Sequence, residues 1–502
     1  MCAVAISPGV YSTEVDFSLY APRLASTICA MVGSASKGPT DERTLITDEG
    51  TLIETFGPPS TDHPAIYAAQ QYLKSGRNLW FVRVANYDTT ATGAIRDGGD
   101  VANAVTMQAA SSGSWGNNLR VVVSESVGAG YDFRITYNNV TVEKKSGVLV
   151  GSANASDQRY IETQFATSLY VVFNDSGSYT TLKTGTYALT GGADGAPADD
   201  SDIIGTTVGN TSTGLQLFRD QDAVDINMLL APGRWERTVV NELADIAEAR
   251  GDAMAIIDPP QGLTVQQVVD WHNGVLTGNP DYLTAAINTS YAALYWSWLQ
   301  IYDSFNDQEI WTAPSGVAAR IWAFSDGVSE PWFAPAGLIR GNPTNLLDLE
   351  HSPSLGERDY MYGYPGHNVN PFVNFIRDGI TLWGQKTLQR APTSLDRINV
   401  RRMLLYARKV IATAVRYLVF EPNDSITWLR FKQLVEPFLR NIATRRGITD
   451  FRVICDSTTN TPFYIDQNVM RGKVLIKPTK AAEIIEIQYT LLPTGAVFEE
   501  FA

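Results

Sequence analysis

Ile226-Asn227-Met228-Leu229-Leu230, closed by Pro232-Gly233, leads into Glu236 to Arg250, stopped by Gly251, and then into Ala253-Met254-Ala255-Ile256-Ile257 before Asp258-Pro259-Pro260. The two short runs are apolar almost throughout, as expected of strands covered on both faces. The stretch between them repeats its apolar residues at helical spacing and ends at a glycine. Strand, helix and strand, with turn residues at each joint, is the unit of a parallel sheet covered by helices.

The same alternation continues outward. Downstream, Thr264 to Trp271 reads as a helix and Ala292 to Trp298 as a strand. Upstream, Ile28 to Val32 reads as a strand ending at Gly33, Pro64 to Lys74 as a helix with Pro at its first turn, and Leu79 to Val84 as a strand. The loop Gly33-Ser34-Ala35-Ser36-Lys37-Gly38 lacks the Gly, Gly, Lys and Ser/Thr spacing of a phosphate-binding loop. From residue 88 to 200 the character changes. Turns rich in Ala, Gly, Ser, Thr and Asn separate the strand candidates Leu119 to Ser124, Asp132 to Tyr137, Val148 to Val150 and Leu169 to Phe173, with one short helical stretch, Asp157 to Thr167. These residues read as a β-rich domain inserted into a single α/β domain formed by residues 26–87 and 201–375.

Composition narrows the function. Five hundred and two residues exceed one hydrophobic core, so several domains are expected. A net charge of −14 argues against a nucleic-acid binder, which needs a basic surface. The charge is uneven: residues 395–502 carry 16 Lys+Arg against 11 Asp+Glu, and the remainder 23 against 42. Cys2, Cys29 and Cys455 have no metal-like spacing and fit a reducing compartment. The start of the chain lacks a secretory signal's basic region, and no apolar run reaches the roughly 20 residues of a membrane helix, so a soluble product without an export signal is expected.

Catalytic, metal and cofactor motifs are missing. His63, His272, His351 and His367 are scattered, and no Gly-x-Ser-x-Gly, His-Glu-x-x-His, Cys-x-x-Cys or strand-borne Gly-x-Gly-x-x-Gly occurs. Asp258 could serve an open α/β site at its strand end, or form the turn before Pro259-Pro260. The expectation is a non-enzyme with no cofactor and no metal. The rival is a soluble α/β hydrolase-like enzyme, which would need a clustered Ser/His/Asp or metal set.

The last hundred residues form a second module. Arg397 to Phe420 reads as a helix with Val400, Met403, Leu404, Ala407, Ile411, Ala414 and Leu418 on one face. Arg402, Lys409 and Arg416 recur every seven residues, and Arg401 and Arg408 widen the stripe. Pro422 ends this helix; Asp424 or Ser425 caps a second one running to Arg446, with Pro437 as a kink and Gly447 as its stop. Glu421 is expected to pair with a nearby Arg. Extended runs follow at Phe451 to Cys455, Lys473 to Lys477 and Glu483 to Leu491, then Thr494-Gly495 and the acidic-apolar Ala496-Val497-Phe498-Glu499-Glu500-Phe501. At the other end, Pro8-Gly9 precedes Val10 to Val15, where Tyr11, Thr13 and Val15 share one face of an extended segment. That segment reads as a frayed terminus or as a strand donated to another sheet.

Two stretches carry a family resemblance. Pro314-Ser315-Gly316-Val317-Ala318-Ala319-Arg320, then Asp326-Gly327 and Trp332-Phe333-Ala334-Pro335-Ala336-Gly337, resembles the central signature of contractile tail sheath proteins. Gly379 to Gly384, Lys386-Thr387-Leu388, Asn399-Val400-Arg401-Arg402, Phe420-Glu421-Pro422-Asn423-Asp424, Trp428, Phe451 to Asp456 and Ala482-Glu483 resemble the C-terminal domain of that family. Pro8-Gly9-Val10-Tyr11 is similar to its N-terminal arm. Lys386 stands where the family commonly has Arg, and the β-rich insertion carries no motif that matches.

The resemblance implies a subtilisin-like-type α/β domain with an inserted β-rich, sandwich-like domain on the outer surface, and an α+β C-terminal sheath domain, residues 376–492. Arms at residues 1–25 and 493–502 complete the chain. It implies a subunit that polymerises as a helix around an inner tube in a bacteriophage tail or related injection machine, with baseplate and tail terminator proteins as further partners. Such a subunit belongs to a virion tail assembled in the host cytoplasm. An inter-subunit N-arm (Val10, Tyr11, Thr13, Val15) and C-arm (Ala496, Val497, Phe498, Glu499, Glu500) are then expected. Because the family's C-terminal domain faces the tube, the basic stripe of Arg401, Arg402, Arg408, Lys409 and Arg416 is either a tube-facing surface or a solvated face.

Overall fold

A computed structural model describes residues 27–86, 88–177 and 179–487. Its centre is an eight-stranded sheet in the spatial order Thr44–Ile46, Asn78–Arg83, Ile28–Gly33, Met228–Leu230, Met254–Ile257, Ala292–Trp296, Val369–Phe375, Gly379–Leu382. The six strands from Asn78–Arg83 to Val369–Phe375 run parallel, and the strand at each edge is antiparallel to its neighbour. The quoted strand–helix–strand unit lies near the middle, its helix Arg237–Arg250 stopped by Gly251 in the left-handed conformation.

Successive residues of each central strand enter opposite cores, which is why these strands read as unbroken apolar runs. Ala30, Leu229, Ala255 and Leu294 face the helices Arg237–Arg250 and Val265–His272. Cys29, Met228, Met254 and Ala293 face Pro64–Leu73 and Pro314–Val328. These last two helices touch at Gly316, where a Cβ would lie 2.6 Å from the Ala68 Cα. Any side chain there would force them apart, which gives a physical reason for the glycine in the Pro314-Ser315-Gly316 signature.

Residues 92–188 form two sheets around one separate core. One is Gly185–Ala188, Leu119–Glu125, Tyr131–Tyr137 and Val140–Val148; the other is Thr92–Arg96, Asn103–Ala109 and Val171–Asp175. The strand expected at Val148 to Val150 is instead the end of Val140–Val148, whose polar, exposed alternation hides it from a hydrophobicity reading. The chain enters and leaves this part as an antiparallel ribbon through Asn86↔Ala196 and Thr89↔Ala193. The loop 33–38 packs at the neck. Arg83 donates to the Ala35 and Gly38 carbonyls and to Asp88. Lys37 Nζ lies 4.9 Å from the Tyr170 ring centroid and 5.6 Å from that of Trp115.

The C-terminal module packs the helices Ile398–Val415 and Ser425–Thr444 on the antiparallel pair Ile448–Ile454 and Lys473–Pro478. Asp424 caps the second helix by accepting from the Ile426 and Thr427 N–H groups. Its other end departs from expectation. Arg446, at φ 67°, takes the left-handed position, with Arg446 N–H on Ala443 O and Gly447 N–H on Ile442 O. Gly447 is needed for close packing instead, since a Cβ there would sit 2.4 Å from Ile442 Cγ2 and 3.0 Å from Trp332. The third extended run is corrected too: residues 483–487 form no strand, and 488–491 lie outside the described residues.

Candidate functional site

The basic helix, Ile398–Val415, is wedged between two cores. Ile398 and Leu405 belong to the core of the large sheet, while Met403 and Ala407 belong to that of the C-terminal module. A helix apolar on two sides leaves little room for its cations to reach water. Arg401 is 4% exposed, its guanidinium 3.4 Å from the Tyr291 ring centroid, and burial holds its pKa below the ordinary value. Arg402 Nη2 donates to Asp326 Oδ2 at 2.5 Å, with the Asp326 carboxylate almost fully buried, and its guanidinium lies over Trp322. Lys409 donates to Ile226 O at 3.2 Å and pairs with Asp225.

The expected stripe is therefore split. Arg401, Arg402 and Lys409 turn inward and join the basic module to the acidic part of the chain, because a buried cation must find a carboxylate, carbonyl or ring. Only Arg408, which contacts Tyr291 Oη, and Arg416, in an exposed pair with Asp222, present charge outward. Helical spacing alone does not show that both flanks of this stripe are covered.

Two of the quoted motifs meet at the same junction. Trp332 is buried in the C-terminal core and donates from Nε1 to Arg445 O at 2.9 Å, and Asn399 Nδ2 points to Trp332 O. In Phe420-Glu421-Pro422-Asn423-Asp424, Asn423 Oδ1 accepts from Trp428 Nε1 at 2.8 Å and Glu421 pairs with Arg430. Phe420 has φ 71° and a fully exposed side chain. Glu483, just before the end of the described chain, accepts from Arg397 Nε at 2.7 Å, Arg397 Nη2 at 3.0 Å, Gln385 Nε2 at 2.9 Å and Tyr362 Oη at 3.2 Å. Neither the Ala482-Glu483 motif nor the extended run it begins reveals Glu483 as an anchor, because that role depends on contacts far apart in the chain.

Asp258 is buried and caps the helix Pro314–Val328. Its Oδ1 accepts from Ser315 N at 2.7 Å, and its Oδ2 from Ser315 Oγ at 2.6 Å and Gly233 N at 2.9 Å. Burial pushes it up to about 6 despite those bonds. His63 Nδ1 lies 3.1 Å from Ser34 Oγ, His351 Nε2 lies 3.2 Å from Glu357, and His367 Nδ1 faces Tyr360 O at 2.8 Å. His272 is fully buried, and neither ring nitrogen is hydrogen-bonded among the described residues. None of the four bonds Asp258 or Ser315 among the described residues. The expected arm residues Val10, Tyr11, Thr13, Val15 and Ala496 to Glu500 lie outside the described residues.

A helix-covered, mostly parallel sheet with a β insertion and a helical C-terminal module defines the class. The sheath tail protein Lin1278 from Listeria innocua shares this fold at a TM-score of 0.63 and 14% identity, over 92% of this chain and 93% of that one. A sheath complex of an extracellular contractile injection system, in its contracted state, matches at 0.57 and 17% identity, over 97% and 98%. More specifically, residues 390–491 match the phage tail sheath C-terminal domain family. The tail sheath protein of Vibrio phage KVP40 is 31% identical over 336 residues, 63% of this chain and 48% of that protein. That of Enterobacteria phage T4 is 30% identical over 310 residues, 59% and 46%. The chain spans about half the length of these curated relatives. It is a mixed α/β chain similar to phage tail sheath proteins, with residues 390–491 matching the family of their C-terminal domain; none of these comparisons supports the hydrolase-like alternative.

Proposed function

We propose that this chain is the structural subunit of a contractile tail sheath, which polymerises as a helix around an inner tube and contracts to drive that tube through a target cell envelope. The match of residues 390–491 to the phage tail sheath C-terminal domain family is the observation that carries this reading. Its partners are further copies, the tube, and the baseplate and terminator proteins; its place is a virion tail assembled in host cytoplasm, and its role is mechanical, not enzymatic. The α/β part is of the subtilisin-like type, with residues 88–200 as an outer domain and residues 376–492 as the sheath domain. Neighbours are joined by Val10 to Val15 of one copy pairing with Ala496 to Glu500 of another, since a strand added to a free sheet edge brings main-chain bonds and alternate side chains together. Arg408 and Arg416 are the cations of the stripe left to meet an acidic tube.

Negative-stain microscopy of the purified chain, alone and with its tube protein, tests the proposal. Long tubes or stacked rings are expected, and discrete particles under every assembly condition would refute it. Deleting Thr494 to Ala502 should leave a folded subunit that forms no stable sheath.

A further inference from the structure

Between the large sheet and the C-terminal module runs a groove of about 950 Å³. Its wall includes the last described stretch of the chain itself, Thr479 to Ile485. Three independent properties describe what would fill it. It is apolar, with Leu355 67%, Ile484 86% and Ile485 79% exposed along it. It is cationic: Arg340, Arg358, Lys386, Arg397, Arg446 and Lys480 line it against Asp359 and Glu483, and Glu483 is already held by Arg397. It also holds buried polar atoms with no hydrogen-bond partner among the described residues, one a donor, Arg358 Nε, and two acceptors, Gln385 Oε1 and Asn399 Oδ1. Buried polar atoms of both kinds call for an occupant that offers donors and acceptors together, as a peptide main chain does.

The chain supplies such a peptide. Residues 488–502 contain no Lys or Arg, and Ala496-Val497-Phe498-Glu499-Glu500-Phe501-Ala502 sets three larger apolar side chains around two carboxylates. The eight residues 488–495 reach at most about 28 Å when extended. Pro493-Thr494-Gly495 has the composition of a chain reversal. A tether of that length gives an effective concentration in the millimolar range.

We propose that, before assembly, Ala496 to Ala502 folds back into this groove of its own chain. The segment caps an apolar surface that a lone subunit would otherwise expose, with Glu499 and Glu500 against the groove's cations and Phe498 against Leu355. This rests on the reading of the same segment as an inter-subunit arm. Polymerisation then requires release of the cap, so a subunit is held back from self-association until a growing end captures its arm.

The test uses the full-length chain with Cys2→Ser, Leu355→Cys and Phe498→Cys; Cys29 and Cys455 are buried. Under mild oxidation, an intrachain disulfide is expected whose yield stays constant over a hundredfold dilution. It should fall at least fivefold when Glu499→Lys and Glu500→Lys are added. Disulfide-linked dimers that increase with concentration, without the intrachain species, would assign the groove to a second copy and overturn the proposal, as would the absence of either product. Hydrogen exchange on the unmodified monomer is the check independent of these substitutions: residues 496–502 should be protected at least tenfold over a free peptide, and full-speed exchange there overturns the cap. Failure of the arm reading is seen separately, as normal tubes from the chain lacking Thr494 to Ala502.

Discussion

The Arg402–Asp326 pair concentrates the consequences of burying charge. Both side chains are almost out of water, so removing Asp326 takes from the Arg402 guanidinium its buried carboxylate, at a cost of about 3–5 kcal/mol. Asp326→Ala should lower unfolding stability by that amount in urea titrations, and adding Arg402→Met should recover most of it. No recovery in the double variant would mean that the carboxylate acts through other partners. The buried His272 and Asp258 make opposing pH contributions. Burial pushes His272 down to about 4, and the nearby Arg390 guanidinium adds to the effect. The unfolded chain takes up that proton near pH 6.5, so the stability this histidine contributes is complete above about 6.5 and is lost as pH falls toward 4. Asp258, pushed up to about 6, binds its proton more tightly when folded; its contribution is complete below about 3.8 and is lost as pH rises through 6. Between pH 4 and 6 the two slopes oppose each other. His272→Leu should therefore expose a gain in stability on acidification, and Asp258→Asn a loss, each limited to about 1.4 kcal/mol per pH unit. Identical pH profiles for the parent and both variants would contradict this assignment.

Among the elements, the helix Ser425–Thr444 ends with an arginine where glycine is the usual choice. Holding Arg446 in the left-handed region costs on the order of 1 kcal/mol, so Arg446→Gly should raise the unfolding free energy by up to that amount, read by urea melting. A loss of stability would show that its side chain contributes more than its backbone strain costs. The glycine one residue later is also where a sequence reading placed the stop, and the misplacement is instructive. A Gly after a helix is consistent with either conformational freedom or close packing, and only the positions of Ile442 and Trp332 reveal the second. The central strands were legible because burial on both faces leaves a continuous apolar signature. Val140–Val148 and the true surroundings of Arg401 and Lys409 were not, because exposure of a strand and coverage of a helix are set by elements distant in sequence.

At the scale of the whole molecule, the β insertion hangs from the large sheet by a ribbon whose two sides are already bonded: Thr89 N–H to Ala193 O at 2.9 Å and Ala193 N–H to Thr89 O at 3.2 Å. Chain ends this close can be joined by a tight turn, so replacing residues 90–192 with Asn-Gly should leave the parallel sheet and the C-terminal module folded. Arg83 keeps Asp88 and the Ala35 and Gly38 carbonyls in that variant. Lys37 does not keep its surroundings. Burial now pushes it down to about 8, and loss of the Trp115, Tyr137 and Tyr170 rings would return it to water and toward its ordinary value. The excised chain should show a cooperative melt and retain its helical circular dichroism. If the insertion is the outer domain of a sheath, its tubes should be thinner than those of the full chain while keeping the same central bore. Unchanged outer diameter would place the insertion between subunits instead, and loss of tubes from a well-folded excised chain would make it part of the assembly contact.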